Sequence, residues 1–127
     1  MARSAHDDVL DALGDYIIAN CTRITLCSDQ PTTFAEANAT FALADVTVDS
    51  GDFSQANGDV SGRKTTVAAQ TAVEVDATGE ADHVALLDVA NSKLLYVTVI
   101  DTPQMLTDGN DVDIAAFDIE VRDPAAP

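Results

Sequence analysis

The sequence predicts a mainly β chain, an antiparallel β-sandwich of jelly-roll-like type with one short N-terminal α-helix. Three observations predict it. Residues 22–121 hold a series of short segments with alternating or continuous apolar character, separated by turns of a few residues rich in Gly, Pro, Asn and Asp, which is the spacing of antiparallel strands rather than of strands alternating with helices. Only the first segment shows helical periodicity. Of the 22 acidic residues 18 are Asp and 4 are Glu, a bias toward turns and caps because Asp bonds its own local backbone. Hydrophobic residues make up 46% of the 127, but aromatics are 5% and Trp is absent, so the core is expected to be aliphatic. That length corresponds to a single domain, residues 1–127.

The elements follow in order. Ser4 followed by Asp7 has the form of a capping box, Asp7 and Asp8 suit the positive end of a helix, and Val9, Leu10, Leu13, Tyr16 and Ile17 recur at helical spacing. A helix is therefore predicted over residues 5–20. Residues 22–28 alternate, with Ile24 and Leu26 on one side and Arg23, Thr25 and Cys27 on the other, and stop at Asp29-Gln30-Pro31. The Ala-rich residues 34–40 fit a short helical turn or an irregular excursion, and are read as loop. Phe41, Leu43, Val46 and Val48 mark a second extended stretch, and residues 50–62, with three Gly, two Asp and the hairpin-prone Asn57-Gly58, a long polar connection. Further strands are predicted over 64–69, 72–78, 82–89, 93–101 and 111–121, with an extended tail over 122–127.

Two of these carry more information. In 111–121 the apolar phase switches between Ile114 and Phe117, so a bulge or a change of sheet is expected at Ala115-Ala116. The run Leu94 to Ile100 is apolar on both faces, so its second face needs a cover, either the N-terminal helix or another subunit.

Charge excludes several function classes. Six basic residues against 22 acidic ones give a net charge of −16, which disfavours duplex nucleic acid and anionic membranes, since binding phosphate depends on Lys and Arg. Self-repulsion at this charge is screened by about 0.5 M salt, where the Debye length is under roughly 5 Å, so a saline setting suits the chain. The start of the chain does not read as a secretory signal, and the run 94–100 is too short to span a bilayer.

No constellation of catalytic type emerges. Gly58-Asp59-Val60-Ser61-Gly62 places its serine one position late for a nucleophile elbow, and a triad drawn from Ser61, His83 and one of the many aspartates is a chance combination. His83 reads as a packed or hydrogen-bonded histidine, and His6 as solvated. No Gly-rich turn opens a helix to cradle phosphate. Counting an EF-hand from Asp108 puts Val112 and Asp113 where an oxygen ligand and Gly belong, so the Asp-rich turns, including Asp45, Asp49, Asp52 and Asp59, read as solvated rather than as Ca2+ sites. Cys21 and Cys27, if joined by one strand, stand about 20 Å apart at roughly 3.3 Å per residue, too far for a disulfide, and are too few for structural zinc. No cofactor is expected.

The order of elements carries a resemblance. Val9-Leu10-Asp11-Ala12-Leu13, the Asp29-Gln30-Pro31-Thr32 turn, Ser61-Gly62-Arg63-Lys64, Ala81-Asp82-His83-Val84-Ala85-Leu86-Leu87-Asp88, Ser92-Lys93-Leu94-Leu95, Thr102-Pro103, Leu106-Thr107-Asp108-Gly109-Asn110 and Ile114-Ala115-Ala116-Phe117-Asp118-Ile119 together resemble small virion structural proteins of tailed bacteriophages, of the head-decoration or tail-fibre-like kind. The resemblance spans nearly the whole chain and rests on strand and turn signatures. It implies a non-enzymatic capsid decoration or cement protein, assembled in the host cytoplasm and carried on the virion. Its partners would be the major capsid protein or other virion proteins, and it would form a homo-oligomer. The alternative is a subunit of a neck, head spike or tail fibre with receptor contact. A Ca2+-dependent adhesion module, the reading from another class, lacks an export signal. The partner interface is expected at the helix stripe Val9, Leu13, Tyr16 and Ile17, at the strand face Leu95, Val97 and Val99, and at Arg63 and Lys64, the one adjacent basic pair.

Overall fold

Leu10, Gly14 and Ile17 lie at spacings of four and three, and this is the line of the first helix that faces inward in the computed structural model, which describes residues 5–123. The helix, α1, spans Asp7–Asn20. Ser4, the predicted cap, lies outside the described residues. His6 takes the capping position, its Nδ1 accepting from the Asp8 N–H at 3.1 Å. Gly14 is where the helix presses hardest on the sheet: a Cβ there would collide with Thr65 Oγ1 and come within 2.7 Å of Gln55 Nε2.

After α1 the period changes and the chain is built of strands. They are β1 (Arg23–Cys27), β2 (Ala42–Thr47), β3 (Phe53–Asn57), β4 (Arg63–Val67), β5 (Gln70–Glu74), β6 (Gly79–Asp88), β7 (Lys93–Leu106), β8 (Asp111–Ile114) and β9 (Phe117–Val121). Every pairing is antiparallel. The order is β2-β1-β6-β7 in a four-stranded sheet, β3-β4-β9 in a three-stranded sheet and β5-β8 in a two-stranded one. The main core forms where these sheets face one another. Ile24, Leu26, Val84 and Leu86 from the four-stranded sheet meet Val67 and Ile119 from the second and Val73 and Ile114 from the third, with Ile17 of α1 closing one end. The layers make a sandwich of aliphatic residues, as the composition predicts.

Several boundaries depart from the sequence reading. Residues 34–40, read as loop, form a helical turn with a π segment at Glu36–Thr40, held where Glu36 Oε1 accepts from the Thr32 N–H (2.9 Å) and hydroxyl (2.7 Å). This turn answers the question posed by the two-faced strand. Ala37, with Phe34 and Phe41, packs on Cys27, Ala85 and Leu87, and Leu94 and Val97 join the same small core. No residue of α1 belongs to that small core. Residues 50–62, read as a connection, hold a 3-10 turn at Ser50–Asp52 and the whole of β3, whose side chains are too polar to show an apolar period. Asn57-Gly58 does begin a hairpin turn, closed by Gly58 N–H to the Gly62 carbonyl at 2.9 Å.

β7 runs on to Leu106, past the predicted end at Asp101. Thr102 and Pro103 sit in a bulge opposite β6 rather than in a turn, since the pairing passes from His83↔Val99 to Ala81↔Gln104. A second bulge sets Leu95 out of register between the Leu94↔Leu87 and Tyr96↔Leu86 pairs. The predicted switch at Ala115-Ala116 is a change of sheet: Ile114 pairs with Gln70 of β5, and Phe117 with Val67 of β4.

Candidate interaction surface

The nine residues expected at an interface fall into three groups. On α1, Ile17 is 4% exposed and belongs to the core, while Val9, Leu13 and Tyr16 are 67%, 47% and 48% exposed. The predicted stripe thus splits. A helix laid on a sheet buries about a third of its circumference, and here Gly14 lets that third centre on the Leu10–Ile17 line, turning Val9, Leu13 and Tyr16 outward. Burying Leu10 and Ile17 stabilises the docked helix by about 2 kcal/mol each. The inward line has i, i+4, i+7 spacing, but the glycine at its middle carries no apolar side chain to mark it in the sequence.

On β7, Val97 and Val99 share a face, but Leu95 leaves it at the bulge. The bulge turns Leu95 toward the main core, Val97 packs into the small one, and Val99 stands 60% exposed. A groove of about 600 Å³ opens between α1 and the start of β7, lined by Leu13 and Tyr16 on one side, Thr32 and Phe34 on the other, and Leu94 to Tyr96 along its floor. Lys93 stands at its end, its Nζ 3.2 Å from the Tyr16 hydroxyl and 5.9 Å from the ring centre.

Arg63 and Lys64 face the chain's own carboxylates. Arg63 Nε donates to Asp11 Oδ1 at 2.9 Å and Nη1 to Asn57 Oδ1 at 2.9 Å, tying β4 to α1. Lys64 Nζ bridges Asp59 at 2.9 Å and Asp118 at 3.5 Å. The carboxylate hydrogen bonds hold both cations above their ordinary pKa range. The pair therefore works within the fold, binding helix and hairpin loop to the three-stranded sheet.

The other chemistry-bearing residues are likewise engaged locally. His83 Nδ1 lies 2.7 Å from Asp82 Oδ1, and Ser61 Oγ accepts from the Asp123 N–H in another part of the molecule, so no triad joins them. Asp49 and Asp52 cap the 3-10 turn reciprocally, and Asp113 accepts from the Ala72 N–H. Among the described residues no three His, Cys, Asp or Glu side chains converge as a metal site would require. Cys21 and Cys27 are free and buried, and burial pushes both thiols up, away from the reactive thiolate. Asp88, 2% exposed, went unnoticed in the sequence; it closes the β6–β7 turn by accepting from the Asn91 N–H (3.2 Å) and Nδ2 (2.8 Å). No helix among the described residues is long and apolar enough to cross a membrane.

Compared with protein-family profiles, with curated proteins and with solved structures, the chain matches none.

Proposed function

We propose that the chain is a non-enzymatic structural protein of a tailed-phage virion, a decoration or cement protein that binds the major capsid shell and stabilises it. One observation carries the reading. A chain of net charge −16 turns Val9, Leu13 and Tyr16 outward beside an apolar groove, a surface that costs solubility and gains from a protein partner. The pattern of strand and turn signatures described above supplies the class of partner. The contact would be made by the outward helix stripe; Arg63, paired with Asp11, would act by holding α1 in place, and Lys64 by tying the β3–β4 loop to β9.

The test is the copy number of the chain per purified particle, by quantitative mass spectrometry against the major capsid protein, for the native chain and for Leu13→Asp. Leu13 is 47% exposed, so the variant is expected to fold. Near-stoichiometric abundance for the native chain and roughly tenfold less for the variant is the expected result, since a charge buried in an apolar contact costs more than 1.4 kcal/mol. A count of tens or fewer would move the chain to a neck or tail appendage. Absence from particles would overturn the virion reading, and equal incorporation of Leu13→Asp would remove the helix stripe from the contact.

A further inference from the structure

β7 is an outer strand of the four-stranded sheet, and among the described residues no hydrogen bond from any segment other than β6 reaches its backbone. Outer strands in monomeric proteins are blunted by inward charges, Pro or short length, because a bare row of N–H and C=O groups templates another strand. Here two bulges interrupt the edge, one at Leu95 and one around Thr102 and Pro103, and the strand between them, from Tyr96 to Val99, is regular. From Leu94 to Ile100 the edge has no charge, no Gly and no Pro, and it includes three β-branched residues before Ile100.

The two halves of this edge differ in complementary ways. The first half is walled, with Leu13 and Tyr16 on one side and Thr32 and Phe34 on the other, and carries a cation at Lys93. The second half is bare. Val99 stands exposed, an opening of about 410 Å³ lies beside Thr98 to Asp101, and its charged lining, Asp101, Asp113 and Asp118, is anionic. An antiparallel strand of the same sequence would set the bare half of one copy into the walled half of the other. The partner's Asp101 then comes to the Lys93 end, and the same contact repeats at the opposite end. A parallel strand would instead set wall against wall and like charge beside like charge. Shape and charge thus select a second copy of this chain, related by a two-fold axis near Val97.

We propose that β7 is the seam of a two-fold dimer in which two copies pair their β7 strands antiparallel, joining two four-stranded sheets into one continuous sheet. The assignment is independent of where the chain is carried. Since each copy bears −16, association strengthens with salt, although the Lys93–Asp101 contacts alone would weaken.

Sedimentation equilibrium of the full chain at ~100 μM, in about 0.15 M and 1 M NaCl, tests it. The expected result is the two-copy mass, favoured at high salt. Val99→Lys, which places a charge on an exposed seam position, is expected to weaken association by roughly tenfold or more, while Val60→Lys, on the β3–β4 loop, leaves it unchanged. Lys93→Asp and Asp101→Lys are each expected to weaken it about fivefold, and their combination to restore it to within about twofold. A single-copy mass at both salts would overturn the proposal. So would a dimer indifferent to Val99→Lys, or one that the charge exchange fails to restore.

Discussion

At one edge of the four-stranded sheet, Ala44 of β2 bridges Val75, and the Leu43 carbonyl accepts from the N–H groups of Asp76 (2.7 Å) and Ala77 (3.1 Å). At the other edge β7 offers its backbone to no segment but β6 among the described residues. The first edge is closed by the chain crossing from β5 to β6, so its side chains serve the core: Leu43, Val73 and Val75 are all buried together. The second is apolar and open, so its outer side chains serve whatever lies alongside. The difference teaches that apolar residues on an outer strand stabilise the fold only where the chain itself returns to cover them.

The same truncation at the two edges should therefore have unequal effects. Leu43→Ala empties a site packed against Gly79 at the closed edge, and is expected to cost about 3 kcal/mol in urea unfolding. If it costs under about 1 kcal/mol, the closed edge is not part of the cooperative core.

A finer distinction lies in charge. At the closed edge Asp45 and Asp76 share a hydrogen bond, which, with the nearby Asp45 charge, holds Asp76 above the ordinary carboxylate range. A carboxyl whose folded pKa is raised contributes stability at low pH that is lost as pH rises from about 3.9 through the folded value. Asp45→Asn removes the like charge, so the variant should gain in thermal stability over the native chain as pH rises toward neutrality, and the two should converge in acid. A gain that persists undiminished in acid would show that the pair does not couple the edge to pH.

The smallest effect is expected at the open edge. Val99→Ala should leave unfolding of the isolated chain within about 0.5 kcal/mol of native, since Val99 is 60% exposed. A larger loss, growing with protein concentration, would report the dimer seam rather than the monomer core.

How much of this was legible in the sequence depends on whether local chemistry or distant contact decides the feature. The strand of residues 23–27 reads directly, because Ile24 and Leu26 alternate with polar neighbours and Asp29-Gln30-Pro31 ends it. The switch at Ala115-Ala116 also reads directly, because a side-chain period of two cannot change phase without a break in pairing. β3 did not read, since Ser54, Gln55 and Ala56 carry no period and the strand exists by pairing with β4. The helical turn at residues 34–40 read only as one of two options, because what selects it is distant: Ala37 packs on Cys27 and Ala85. Of the interface residues, Val9, Leu13 and Tyr16 are on the surface as an interface requires, while Ile17 and Leu95 turn into the core.

By itself the sequence determined the class of fold, the single helix followed by antiparallel strands, the aliphatic core and the acidic surface, because propensity, period and charge are properties of neighbouring residues. Only the tertiary structure decided which side of α1 faces inward, where Arg63 and Lys64 find their carboxylates, what covers the second face of β7, and which edge of the sheet stays open. Those outcomes depend on packing between residues far apart in the chain: Gly14 against Thr65, Arg63 against Asp11, Ala37 on Ala85, Ala44 beside Val75.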